Sequence, residues 1–153
     1  MAVTRTLDVS LAIAVALAMV AFVAFKGDAL YLGLWYYIAV PVVVLGVCAA
    51  IRPPPLFLSG AELAIAISML ALMSVNWRAV RPDGLLGLGH IFSLPGAFIV
   101  VVATAFVARK FQIVRPFPAF LLGLGGCGGG YFLNQLLVCN TVMWCGPMSL
   151  PIK

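Results

Sequence analysis

The residues that could do chemistry in this chain are few and far apart. The 153 residues include a single histidine, His90, and four acidic residues. Of the acids, only Glu62 lies well inside an apolar stretch, and no Lys, Arg, His or Asp accompanies it there as a relay partner. Ser93 is the only hydroxyl near His90, so no set of nucleophile, base and orienting residue can be assembled. We predict a protein that is not an enzyme and that uses no metal and no other cofactor.

The four cysteines offer a second kind of chemistry. Cys48 and Cys127 fall inside apolar segments and are predicted to be packing residues. Cys139 and Cys145 lie near the end of the chain, where an oxidising compartment would allow a disulfide between them. Their spacing is wider than the CxxC of thiol oxidoreductases, so the sequence indicates a structural disulfide rather than a redox site.

A run of glycines is the third feature, with six glycines among the eight residues 123–130. The run lacks the lysine and hydroxyl of a P-loop, and it has no preceding strand of the kind that dinucleotide sites require. Gly125 with Gly129, and Gly126 with Gly130, have the GxxxG spacing that lets two membrane helices approach closely. We predict that these four glycines form a helix-packing seam. A broken helix that lines a pore is the alternative, because glycine weakens a helix.

Composition places these residues in a lipid bilayer. Hydrophobic residues make up 65% of the chain and charged residues 8%, whereas about 25% of a typical soluble domain is charged. The nine Lys and Arg residues stand singly or in pairs between apolar blocks. They are typical of the flanks of membrane helices, and they form no basic face for nucleic acid. The predicted fold class is an all-α integral membrane protein, with residues 1–153 as a single polytopic domain.

Five apolar segments approach the length of about 20 residues that is needed to cross the bilayer. They predict a bundle of five transmembrane helices, or four if the last segment does not span. With five helices, residues 139–153 form a short tail at the outer face of the membrane. A cleaved signal peptide is disfavoured because the first apolar core is long. The predicted helices cover residues 8–25, 30–51, 56–75, 90–108 and 116–138.

Charge and aromatic residues indicate the orientation. A cytoplasmic N-terminus places five of the Lys and Arg residues inside and four outside, a weak bias in the expected direction. The same orientation brings Trp35, Trp77 and Trp144 to the outer interface, which suits aromatic rings. We predict a cytoplasmic N-terminus in the bacterial inner membrane. The three tryptophans and His90 are then candidates for contacts at the outer face.

Glu62 would lie roughly 10 Å below the inner surface, at a rise of 1.5 Å per helical residue. Ser59 shares its helical face, so the two form a partly polar stripe that we expect to face the glycine seam. Two interpretations stay open. Glu62 is either a neutral polar clamp between helices or a titrating group on a proton or cation pathway.

These features predict a non-catalytic protein that acts through contacts in or at the outer face of the membrane. Its role would be that of an accessory subunit, or of an immunity-type protein that neutralises a membrane-acting toxin. Its partners would be the lipid bilayer and either another membrane protein or further copies of itself, with no nucleic acid. The alternative is a subunit of a homo-oligomeric channel, or of a proton- or cation-coupled transporter that uses Glu62.

Overall fold

The computed structural model describes residues 5–79 and 85–142, and these residues are all-helical without a strand. The described ranges contain five helices, each long and apolar enough to cross a membrane, as the sequence predicts. The last segment forms a helix of 26 residues, whose length of about 39 Å exceeds the hydrocarbon thickness. The helices are α1 (Arg5–Lys26), α2 (Leu34–Ile51), α3 (Phe57–Arg78), α4 (Leu85–Lys110) and α5 (Pro116–Thr141).

The start of α2 differs from the predicted boundary because the preceding turn is organised by Asp28. The carboxylate of Asp28 accepts hydrogen bonds from the backbone N–H of Leu30 at 3.0 Å and of Gly33 at 2.5 Å. Gly33 has a φ of 81°, a conformation that glycine adopts without steric cost. The helix therefore begins at Leu34 instead of residue 30.

The central helix of the bundle is α3, which contacts each of the other four helices. Its most apolar stretch is 67% buried, compared with a third or less in every other described helix. The outer helices expose large apolar side chains, among them Leu17, Phe25 and Ile99. An apolar exterior around a partly polar interior suggests a multi-pass membrane protein, since lipid replaces water as the surrounding medium.

Glycines form the closest helix crossings. A Cβ added to Gly60 of α3 would lie within 3.0 Å of a backbone carbonyl oxygen of α5, and one added to Gly123 would lie equally close to a carbonyl oxygen of α3. At the crossing of α4 and α5, a Cβ added to Gly96 or Gly130 would collide with the carbonyl oxygen of the other residue. Backbone atoms cannot move aside as a flexible side chain can, so larger residues at these positions would force the helices apart.

Two of the four glycines predicted to form the seam pack against another of the described helices, and the other two do not. Gly126 lies against Thr104 of α4, and Gly130 lies at the crossing just described. Gly125 and Gly129 lie on another side of α5, where an added Cβ would meet nothing within 4 Å. Successive residues of a helix point about 100° apart, so two interleaved GxxxG pairs cannot both face one neighbour. The helix is continuous through the run, so the broken-helix alternative is not what the structure contains.

Candidate functional site

A buried polar cluster lies between four helices, and we call it the His90 cluster. The Nδ1 atom of His90 lies 2.5 Å from the hydroxyl of Tyr36, and Nε2 lies 3.0 Å from the hydroxyl of Ser68. The ring of Tyr131 packs against the imidazole, with the ring centroids 5.0 Å apart. Hydrogen bonds therefore join α2, α3 and α4, and the ring contact of Tyr131 adds α5 to the cluster.

The hydrogen bonds of the cluster assign the tautomer of His90. The Ser68 hydroxyl has one proton, which it donates to the carbonyl oxygen of Ile65 at 2.8 Å. Ser68 must therefore accept the second bond from Nε2–H of His90, and Nδ1 accepts from the hydroxyl of Tyr36. A chain of three hydrogen bonds thus runs from Tyr36 to Ile65 through a neutral imidazole.

The position of His90 corrects the prediction that it contacts a partner at the outer face. Its side chain is fully buried, because α4 begins at Leu85 and carries residue 90 into the bundle. Trp35 and Trp77 are 65% and 43% exposed, which leaves them accessible for contacts. Trp144 lies outside the described residues.

The His90 cluster contains a hydroxyl beside an imidazole, but its geometry is that of an interhelical clamp. A serine nucleophile needs its proton held by the base and one face open to a substrate. The proton of Ser68 is bound to a backbone carbonyl, and the side chain is buried. The sequence alone did not predict this clamp, because its residues are spread from position 36 to position 131 and no local spacing connects them.

A second polar link joins α4 to α5 close to this cluster. The Ser93 hydroxyl donates to the side-chain oxygen of Gln135, and the Gln135 amide donates to the sulfur of Cys139 at 3.3 Å. Cys139 is in a disulfide, whereas Cys48 and Cys127 are buried and free. The predicted partner Cys145 lies outside the described residues, so that pairing stays a prediction.

Glu62 is buried, and it faces α1 and α2 instead of the glycines of α5. The gap beside it is lined by Ala16 and Met19 of α1 and by Pro41 of α2, and it is too narrow to hold a water molecule. Its Oε1 atom has no hydrogen-bond partner among the described residues. The expectation that Glu62 faces the glycine seam was wrong because Gly60 turns toward α5, and a residue two positions later points about 200° away.

Ser59 does not pair with Glu62 but with Asp8. Sequence patterning places Asp8 only as the first residue of a predicted helix. Asp8 is fully buried and accepts hydrogen bonds from the Ser59 hydroxyl at 2.8 Å, from the Ser59 N–H at 2.9 Å and from the Leu58 N–H at 3.2 Å. Leu56, the residue that precedes α3, supplies no side-chain cap. A carboxylate of α1 therefore satisfies the free N–H groups at the start of α3, where the helix dipole favours negative charge.

A cleft of about 270 Å³ lies at the end of the bundle where α1 and α3 end, opposite to the end that carries Asp8. Its walls include Trp77, Tyr31 and Asp28, and the amide of Asn76 donates to the carbonyl of Ala29 at 2.7 Å beneath it. This cleft places aromatic and polar groups together at the end where the sequence predicts contacts with a partner.

A scan against protein-family models and searches of curated proteins and of solved structures found no match to this chain.

Proposed function

We propose that this chain is a non-catalytic multi-pass protein of the bacterial inner membrane, with a cytoplasmic N-terminus, that acts by binding another membrane protein. The observation that carries the proposal is the side of α5 that points away from the bundle, which we call the outer face of α5. It is formed by Leu121, Gly125, Gly129 and Phe132. All four residues are exposed, and they recur at helical spacing along one side of the helix.

Glycines on this outer face have no role in packing within the described chain. An added Cβ at Gly125 or Gly129 meets nothing within 4 Å, although glycine costs about 1 kcal/mol relative to alanine within a helix. Between membrane helices, close backbone approach replaces the hydrophobic effect as a source of attraction. A partner helix docked on this face would use the small residues and would bury the flanking Leu121 and Phe132.

The end of the bundle that carries Tyr31, Trp35 and Trp77, which we call the aromatic end, supports the same proposal. Trp35 and Trp77 are exposed, and Trp77 lines the cleft with Tyr31. Trp is enriched at the energetic centres of protein interfaces, and it also anchors proteins at the membrane surface. An accessory subunit would use both surfaces against one membrane partner. An immunity-type protein would use the aromatic end against a toxin that reaches the membrane from outside.

The test is association in the native membrane, measured by cross-linking and by the stoichiometry of proteins that copurify in mild detergent. Gly125→Leu and Gly129→Leu should abolish the association by preventing close helix approach. Gly46→Leu is the matched control, because Gly46 is an exposed glycine of α2 whose added Cβ also meets nothing. Association that survives both α5 substitutions, or that is lost equally in the control, would remove the outer face from the proposal.

A second candidate is a homo-oligomeric channel or a proton- or cation-coupled transporter. It is favoured by Glu62, whose buried Oε1 has no hydrogen-bond partner among the described residues, as expected of a group that binds a proton or cation in turn. Proteoliposomes with a pH- or cation-sensitive dye should then show flux that Glu62→Gln abolishes. Purification as a homo-oligomer alone would favour this candidate, whereas absence of flux in the unaltered protein would refute it.

A further inference from the structure

A cleft of about 300 Å³ lies at the end of the bundle where α1, α3 and α5 begin, between the turn after α2 and the turn after α4. We call it the arginine cleft because its polar walls include Arg52 and Arg109. Its apolar walls include Pro54, Ile113 and Val114. Two guanidinium groups beside an apolar wall suit a ligand with an anionic head and a hydrocarbon body.

Carbonyl groups at the end of α2 hold the backbone of Arg52 and the guanidinium of Arg109. Arg52 follows the helix with a φ of 59°, and its N–H donates to the carbonyl of Cys48. Arg109 donates from Nη1 to the carbonyl of Ile51 at 3.0 Å. A guanidinium has five N–H donors, so Arg109 keeps further donors for an anion after making this bond.

Within residues 5–79 and 85–142, no exposed carboxylate neutralises the positive charge at this end. Lys110 and Arg115 are exposed near the cleft, and Arg5 donates to the carbonyl of Ala49 at the same end of α2. Asp8 is the carboxylate of this end within the described ranges, and it is buried against the N–H groups of α3. An anion in the cleft would therefore meet an attractive potential without competition from a surface carboxylate.

Exposed apolar residues around the cleft favour a lipid over a soluble phosphate. Phe111, Val114 and Phe117 lie in or beside the turn between α4 and α5 and are 70%, 89% and 67% exposed. Such side chains at the end of a membrane helix would contact acyl chains. The ends of spanning helices also lie at the depth of the lipid phosphates, and the cytoplasmic leaflet carries anionic lipid.

We propose that the arginine cleft binds the phosphodiester headgroup of an anionic phospholipid, held by Arg52 and Arg109 with an acyl chain along Ile113 and Val114. The inference rests on the proposed membrane insertion but is independent of any protein partner. A test on purified protein therefore separates its failure from failure of the protein-binding proposal.

The experiment measures binding of phosphatidylglycerol and phosphatidylcholine to the purified chain in neutral detergent by native mass spectrometry. The unaltered protein should prefer phosphatidylglycerol, and Arg52→Asn should weaken that binding by about tenfold, because one charged hydrogen-bonding partner is lost. Asn accepts the left-handed backbone conformation of position 52, so the fold should persist in this variant. Arg109→Gln, tested in parallel, carries the same expectation.

Arg115→Asn is the matched control, since it removes a cation at the same end at a helix N-cap that suits Asn. The control should retain the preference for phosphatidylglycerol. Equal weakening in Arg52→Asn and Arg115→Asn would indicate diffuse attraction and would overturn the site. Equal binding of both lipids by the unaltered protein would also overturn it. Displacement of phosphatidylglycerol by a similar concentration of inorganic phosphate would overturn it as well, because that result would identify a soluble phosphate as the ligand.

Discussion

Replacement of Gly123 by alanine, compared with the same replacement of Gly125, tests the packing of α5 directly. The two positions are separated by one residue in the same helix, but their surroundings differ. A Cβ at Gly123 would lie within 3.0 Å of a carbonyl oxygen of α3, whereas a Cβ at Gly125 would meet no atom of the described residues within 4 Å. Both substitutions add the same methyl group, so only the surroundings distinguish them.

The expected magnitudes follow from two opposing effects. Alanine improves intrinsic helix stability over glycine by about 1 kcal/mol at either position. Overpacking against an immovable backbone costs about 1–3 kcal/mol, and this cost applies to Gly123 alone. Gly125→Ala should therefore stabilise the chain slightly, and Gly123→Ala should be about 1–3 kcal/mol less stable than Gly125→Ala. The propensity effect cancels in the difference, which isolates the contact with α3.

The assay is unfolding of the purified protein in mixed micelles with increasing SDS, monitored by circular dichroism. The free energy of unfolding is obtained for each variant by linear extrapolation. Gly60→Ala should resemble Gly123→Ala, because its added Cβ would meet the backbone of α5 at the same crossing. Equal stability of Gly123→Ala and Gly125→Ala would refute the crossing of α3 and α5 and the rotation of α5 inferred from it.

The remaining predictions concern the buried polar groups and the thiols. Asp8→Ala should lower the free energy of unfolding in the same assay by about 2 kcal/mol, because the N–H groups at the start of α3 lose their acceptor; an unchanged value would contradict the cap. Tyr36→Phe should cost about 1–3 kcal/mol by removing the donor to Nδ1 of His90, and the imidazole nitrogen chemical shifts should change; unaltered shifts would contradict the assigned tautomer. In unreduced, denatured protein, maleimide labelling followed by mass spectrometry should modify Cys48 and Cys127 but not Cys139, and a labelled Cys139 would contradict its disulfide.

Five apolar helices could be predicted from the sequence because spanning a bilayer imposes a local requirement on length and composition. Each helix satisfies its own backbone hydrogen bonds, so hydropathy alone locates it. The boundaries depend on more specific contacts. The Asp28 turn delays the start of α2, and α4 begins upstream of His90.

The rotation of each helix about its axis could not be predicted from the sequence, because it depends on tertiary packing. In a soluble helix the apolar face identifies the buried side, but here both the buried and the outward faces are apolar. Spacing therefore could not tell that Gly126 packs inward while Gly125 faces outward, or that Glu62 turns toward α1 and α2. These rotations are set by how the side-chain ridges of one helix fit the grooves of the next. The shape of the ridges and grooves depends on every side chain at the contact.

Amino-acid composition and hydropathy are enough to predict apolar helices of membrane length, with few polar groups among them. The pairing of those polar groups, in contrast, depends on how the helices pack in three dimensions. Asp8 meets the start of α3 from 50 residues away along the chain, and Tyr36 meets His90 across 54. A buried polar group must find a partner, but the partner is chosen by which helices pack together, and that choice depends on the shapes of the whole bundle.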